Sequence, residues 1–99
     1  MAPIKIAFFP LLGNRKELVK QAKDLFEKFK YKYVCEYDGG DNIGKRYRRQ
    51  DEIGTPYCVT VDFDSIGREK TVTVRDRDSM KQERVKINNL DDYFRKKLA

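Results

Sequence analysis

The chain has 99 residues, with 22 Lys and Arg against 16 Asp and Glu, two Cys and no His, for a formal charge of +6 and a pI near 9.4. That length predicts one domain over residues 1–99 around a single core, too small to add a separate cofactor domain. The lack of histidine excludes an imidazole-based hydrolase triad, and the excess of cations favours a polyanionic partner, although mixed charge at 38% of residues also describes a solvated surface.

Ile4 to Phe9 reads as a buried strand closed by Pro10 and a loop through Gly13. Asn14 is then an N-cap candidate with Glu17 at the capping-box position, ahead of Leu18, Val19, Ala22, Leu25, Phe26 and Phe29 at helical spacing. Tyr33 to Tyr37 reads as a second strand, and Asp38-Gly39-Gly40-Asp41 as a turn. Asn42 can cap a short second helix that Gly54 and Pro56 terminate. From Tyr57 the period becomes two: Tyr57, Val59, Val61 and Phe63 share one side, and Cys58, Thr60 and Asp62 the other. A turn over Ser65 to Lys70 leads into a strand from Thr71 to Arg77, and residues 82–87 alternate again. Asn88 or Asn89 then caps a last helix with Asp91 and Asp92 in its first turn and Arg95, Lys96 and Lys97 in its last, as the helix dipole favours.

The order β-α-β-α-β-β-β-α predicts a three-layer α/β fold with three helices on a mixed five-stranded sheet. Its initial βαβ units require parallel pairing, its short later links permit hairpins, and a strand order of 2-1-3-4-5 puts the first two helices on opposite faces. Cys35 and Cys58 have neither CxxC spacing nor histidine partners, so no zinc site or dithiol redox motif follows. They are expected as reduced thiols packed in neighbouring strands of an intracellular protein. The apolar run Ile6 to Leu12 is too short for a membrane span and is interrupted by Pro10.

On a helical wheel Lys45, Arg48 and Arg49 share the outer side of the second helix, with Ile43, Tyr47 and Ile53 toward the other. Glu52 is spaced to pair with Arg48 and Arg49. Thr73, Arg75 and Arg77 alternate out of the fourth strand, and Arg84 and Lys86 out of the fifth, opposite Val72, Val74, Val85 and Ile87. If that sheet face also carries the second helix, two basic surfaces converge on a cleft near Tyr57, Thr60 and Phe63. Such a cleft suits splayed single-stranded RNA, with guanidiniums on phosphates or base edges and rings on unstacked bases.

Competing motifs are weaker. Gly39 to Lys45 fits G-x-x-x-x-G-K, but Arg46 stands where a magnesium-binding hydroxyl is needed and Asp41 opposes a triphosphate. Asp62, Asp64, Asp76 and Asp78 suggest a metal or acid/base cluster, yet Asp76 and Asp78 alternate with Arg75 and Arg77 and are expected to pair with them. No metal site and no catalytic residue is expected.

The run IGKRYRRQDEIGTPYCVTVDFD from Ile43 to Asp64, followed by TVTVRDRDSM from Thr71 to Met80, resembles the C-terminal anticodon-binding domain of dimeric glycyl-tRNA synthetase, a class II aminoacyl-tRNA synthetase. The likeness extends from the Ala2-Pro3-Ile4-Lys5 entry to the last helix. It implies a module that grips the anticodon stem-loop of glycine tRNA and reads its cytosines. Carried over by motif position, Lys45, Thr60, Phe63 and Arg77 are the implied anticodon contacts, supported by Arg46, Arg49 and Arg75. Lys45 stands where arginine is common, and Asp41-Asn42 replaces a Gly-Ser pair. Lysine keeps the charge and with it the attraction for phosphate, but loses the planar fork on which base-specific reading at position 45 would rely.

The resemblance further implies a cytoplasmic parent, homodimeric and an ATP-dependent glycine-tRNA ligase in protein biosynthesis. Its ATP and magnesium would belong to a catalytic domain absent here, with no cofactor in this chain and no membrane partner. Beginning with Met1-Ala2 at the domain boundary, the chain is expected to be an excised, monomeric, non-catalytic module. The alternative is a free-standing or accessory protein-interaction domain of the same fold.

Overall fold

A computed structural model describes residues 4–40 and 42–98. The Met1 to Pro3 entry and Asp41, on which part of the resemblance and of the look-alike phosphate loop rests, lie outside the described residues. The elements run β1 (Ile6–Pro10), α1 (Lys16–Phe29), β2 (Cys35–Tyr37), α2 (Ile43–Ile53), β3 (Tyr57–Val61), α3 (Phe63–Ile66), β4 (Thr71–Asp76), β5 (Gln82–Lys86), a 3-10 turn at Ile87–Asn89 and α4 (Leu90–Lys97). The strands form one mixed sheet in the expected order β2-β1-β3-β4-β5, parallel across β2, β1 and β3 and antiparallel beyond.

β1 is the central parallel strand, which explains its unbroken apolar sequence: both faces must be covered. Its side chains divide two cores between them. Ile6 and Phe8 join Leu18, Ala22, Leu25 and Phe29 of α1, Val59 and Val61 of β3, and Leu90 and Phe94 of α4. Ala7 and Phe9 turn to the opposite face, where Cys58 and the partly buried Ile43 and Tyr47 of α2 close a smaller core. α1 and α2 therefore cover opposite faces, as the strand order requires. In the larger core, Phe94 packs edge-on to Phe29 at 5.9 Å and to Tyr57 at 5.7 Å, joining α4 to α1 and β3.

Several boundaries differ from the sequence reading for local reasons. The N-cap of α1 is Arg15, without a side-chain cap bond, because Arg15 N–H turns back to the Leu12 carbonyl; Glu17 then sits one position too early for a capping box. β2 is shorter than Tyr33 to Tyr37, since the N–H groups of Lys32 and Tyr33 still bond to the Phe29 carbonyl at the end of α1. A fourth helix, α3, occupies the expected turn after β3. Asp62 and Ser65 close a capping box on it, so Phe63 leaves the strand direction. Asn42 and Gly54 bound α2 as expected: Asn42 Oδ1 accepts from Lys45 N–H at 2.9 Å, and Gly54 takes the left-handed conformation at φ 92°.

The inner face of α2 is polar. Arg46 is 1% exposed and Gln50 fully buried, whereas Ile53 is 51% exposed. Residues 43, 46, 47 and 50 form the i, i+3, i+4, i+7 stripe that meets the sheet, and Ile53 falls outside it. Tyr57 faces the large core against Phe94 and Tyr93, not the basic face.

The two cysteines are free but not in neighbouring strands. Cys35 pairs with Ile6 and Cys58 with Ala7, so β1 runs between them. Burial pushes the Cys35 thiol up to about 11 and the Cys58 thiol up to about 12. At pH 8 both therefore stay protonated and unreactive. A thiol-specific chromogenic reagent at that pH is expected to react slowly with the folded chain and stoichiometrically with two thiols once denaturant is added. In urea titrations, Phe94→Ala should cost about 3–5 kcal/mol through the cavity it leaves.

Candidate nucleic-acid interface

The interface builds up from the polar underside of α2. Arg46 reaches across β1 and donates Nη1 to the Pro10 carbonyl and Nη2 to the Leu11 carbonyl, the latter at 3.3 Å, with its guanidinium carbon 5.7 Å from the Phe9 ring centre. Its buried Nε has no hydrogen-bond partner, and burial lowers its pKa despite attraction from Asp38. Arg49 forks onto Asp38, with Nε and Nη2 each 2.9 Å from a carboxylate oxygen. Gln50 donates to Glu36 and Asp38 at 3.2 Å and accepts from the Thr55 hydroxyl at 2.7 Å. The helix is thus seated on side-chain hydrogen bonds to the ends of β1 and β2, which leaves Lys45 and Arg48 on its exposed outer surface.

Beside it, β3 and β4 supply a second group. Arg75 is nearly buried, forks onto Asp51 at 2.9 and 3.2 Å, and lies 4.8 Å from the centre of the Tyr47 ring. The Asp51 bond, working against burial, raises the Arg75 pKa. The Tyr47 phenol meets the buried Thr60 hydroxyl at 2.5 Å, and burial raises its pKa. Met80, at the β4–β5 turn, places Sδ 3.1 Å from Arg75 Nη2. Arg77, just past β4, donates Nε to the Asp51 carbonyl at 3.1 Å and is 43% exposed at its side chain. The two basic surfaces do converge on the α2 face, but carboxylates are interleaved among them.

The seven residues nominated from the sequence therefore fall into three places. Lys45, Arg46 and Arg49 stand on α2, with Lys45 exposed and in no ion pair among the described residues and Arg46 buried as a tie rather than a surface cation. Thr60, Arg75 and Arg77 gather around Tyr47 and Asp51. Phe63 lies apart at the far end of β3, 49% exposed, with the Arg15 guanidinium 5.9 Å from its ring centre. Because Tyr57 pairs with Asp76 and Arg77 N–H bonds to the Pro56 carbonyl, Arg77 and Phe63 sit at opposite ends of β3, about 20 Å apart at ~3.3 Å per residue.

Other expected pairings also changed partners. Arg75 chooses Asp51, not Asp76, whose Oδ1 instead caps the turn by accepting from Asp78 N–H and Ser79 N–H. Arg77 does pair with Asp78, at 3.4 Å, as expected, but Arg49 holds Asp38 where Glu52 was expected. Arg84 does not stand free: it bonds Asp62 with both terminal nitrogens and also the Thr71 and Thr73 hydroxyls. Arg15, Tyr47, Asp38 and Asp51 were not nominated. Only Tyr47 carried a signal, an aromatic within a basic helix. Among the described residues no group of three His, Cys, Asp or Glu side chains is placed to hold a metal ion, and no helix is long and apolar enough to cross a membrane.

A three-layer α/β fold in this order, with Lys45 exposed at the start of α2 and in no ion pair among the described residues, suits a small nucleic-acid-facing module. The chain belongs to the anticodon binding domain family, whose sequence pattern matches residues 5–97. It is 58% identical over 94 residues to the glycine–tRNA ligase of Acetivibrio thermocellus, covering 95% of this chain and 20% of the relative. With the glycine–tRNA ligase of Clostridium acetobutylicum it shares 54% over 98 residues, covering 99% of this chain and 20% of that enzyme. The chain thus spans about a fifth of the length of these relatives. Among solved structures, its fold matches the RNA binding domain of threonyl-tRNA synthetase from Cryptosporidium parvum Iowa II with a TM-score of 0.82 at 20% identity, covering 96% of this chain and 24% of that one. A prolyl-tRNA synthetase from Cryptosporidium parvum matches at 0.87 and 20%, covering 98% and 21%. At that identity the two likenesses establish the fold alone.

Two measurements check the division between structural and exposed groups. Arg46→Ala, which orphans two carbonyls, should cost about 2–3 kcal/mol in urea unfolding, whereas Arg77→Ala should cost no more than about 1 kcal/mol. For Asp62, burial raises its pKa, but the Arg84 fork with the Asp64 N–H and the Ser65 hydroxyl outweighs that and holds the carboxyl below its ordinary value. A depressed carboxylate stabilises the fold fully above its unfolded pKa and loses that contribution as pH falls through the folded value. Asp62→Asn should therefore lower stability at pH 7, and the gap to the parent chain should close progressively as pH drops below 3.8.

Proposed function

We propose that this chain binds the anticodon stem-loop of glycine tRNA as the C-terminal module of a glycine–tRNA ligase, contributing tRNA selection and no bond-making chemistry of its own. The observation that carries this reading is 54–58% identity to glycine–tRNA ligases over nearly the whole chain, within a family defined by anticodon binding. Further support comes from the free ammonium of Lys45 and the exposed guanidinium of Arg77, on the helix and strand flanking the Tyr47–Thr60–Arg75 group.

In this reading Lys45 and Arg77 meet RNA directly, while the nearly buried Arg75 and Thr60, held by Asp51 and Tyr47, form the polar floor beneath an incoming base. Phe63 with Arg15 offers a stacking surface for a base splayed toward the other end of the site. Arg49, held by Asp38, supplies a fixed positive edge, and Arg46 supports the helix from beneath. The parent enzyme would be a cytoplasmic homodimer whose separate catalytic domain uses ATP and magnesium, and this module alone would be monomeric. Binding by the module alone is expected to be weaker than in a ligase that also holds the acceptor end, because the second contact acts at high effective concentration.

Fluorescence titration with a glycine-tRNA anticodon stem-loop is the direct test. Affinity should fall steeply with salt, each phosphate contact contributing about −0.7 to −0.9 to the log–log slope. Changing the second and third anticodon cytosines should weaken binding at least about tenfold, a difference of about 1.4 kcal/mol. Arg77→Ala and Phe63→Ala should each lower affinity for the parent stem-loop. Equal binding of parent and altered anticodons would reduce the interaction to non-specific attraction and refute the proposal.

A further inference from the structure

The carboxylates that occupy Arg49, Arg75, Arg77 and Arg84 leave another stretch of cation unopposed. Lys16, Lys20 and Lys23 of α1 are exposed, and none has an Asp or Glu oxygen within 4.0 Å among the described residues. At 3.6 residues per turn they fall on one strip of the helix, directly opposite its buried stripe of Leu18, Ala22, Leu25 and Phe29. At 1.5 Å per residue the strip spans about 10 Å, matching about three phosphates of one strand in a duplex charged every ~3.4 Å.

The strip borders a shallow groove at the loop that leads into α1. Together with Gly13, Asn14 and Val19 the lysines border an open groove of about 460 Å³, whose one acidic member, Asp24, forms no ion pair with them. The loop at Gly13 lies against the loop leading into α2: a Cβ on Gly13 would come 2.8 Å from the Gly39 carbonyl oxygen. Lys23 Nζ also sits 5.4 Å from the Tyr37 ring centre, at the end of β2. The loops that lead into α1 and α2 therefore meet, with Lys16 in the first turn of one helix and Lys45 in the first turn of the other.

We infer that Lys16, Lys20 and Lys23 form a second RNA surface, one that holds backbone phosphates of the anticodon stem while the α2 face meets the loop. The inference rests on the anticodon-binding reading. Charge complementarity selects the occupant: three exposed ammoniums in a row, with the half-buried Val19 as the one apolar side chain among them, suit a regularly spaced polyanion. Phosphate contacts of this kind fix orientation without reading sequence.

The test compares the parent chain, the Lys16→Ala, Lys20→Ala, Lys23→Ala triple variant and a charge-matched control with Lys86, Lys96 and Lys97 changed to Ala. Circular dichroism and melting first confirm that each is folded, which these exposed positions favour. On the anticodon stem-loop, the α1 variant should lose at least about tenfold in affinity at 0.1 M salt and its log–log salt slope should be shallower by about two to three. Its discrimination between parent and altered anticodons should not change, and the control should keep a slope within about one unit of the parent chain. An unchanged slope, an equal loss in the control, or an equal loss on a linear oligonucleotide of the loop sequence would each overturn the assignment. A parent chain that binds the stem-loop without anticodon preference would refute the proposed function instead, and the lysine strip would still be judged by its slope.

Discussion

The arrangement of this molecule turns on how α2 is held to the sheet. An eleven-residue helix with a polar inner face cannot be secured by apolar burial alone. Arg46 supplies the alternative, closing the carbonyls of Pro10 and Leu11 at the end of β1, where the strand has run past its pairing with β2. Gln50 and Arg49 repeat the device at Asp38 and Glu36, at the end of β2. Buried charge contributes only when its donors are met, and most of this guanidinium is. The consequence is orientation: with Arg46 underneath, Lys45 and Arg48 project from the surface, and the loops that lead into α1 and α2 are tied together.

The same accounting separates cations by work. Arg46, Arg49, Arg75 and Arg84 are committed to carbonyls or carboxylates within the fold, and their forks explain why they are arginines, since lysine has no planar pair of donors. Among the described residues Lys45, Lys16, Lys20 and Lys23 have no such partner, which leaves them available to a polyanion. A net charge of +6 does not show this division, because opposite charges on the α2 face largely cancel locally. Polyanion affinity depends on which charges remain uncompensated, and that is a property of the folded surface.

Much of the architecture was legible in the chain. The unbroken apolar run of β1, the heptad-like stripe of α1, the Asn42 and Gly54 caps and the alternation through β3 and β4 are local patterns with local causes, and they led to the strand order. The candidate site was less legible. Arg46 looks like any residue of a basic helix, and only the closeness of β1 reveals two waiting carbonyls. Arg75 sits beside Asp76 in sequence, yet its partner Asp51 is 24 residues away and reaches it because α2 and β4 share a face. Phe63 continues the period of β3 on paper, but Asp62 and Ser65 cap a helical turn there and carry the ring away from Arg77.

Sequence alone determined the elements, their order and, through close likeness to known anticodon-binding modules, the family, because periodicity, capping and long runs of matched residues are written in adjacent positions. Tertiary structure decided which charges are neutralised, which face Tyr57 and Thr60 take, and that Arg77 and Phe63 stand at opposite ends of one strand. Those outcomes depend on pairings between residues far apart in the chain, where the competition among several carboxylates and carbonyls for one guanidinium is settled by distance and burial.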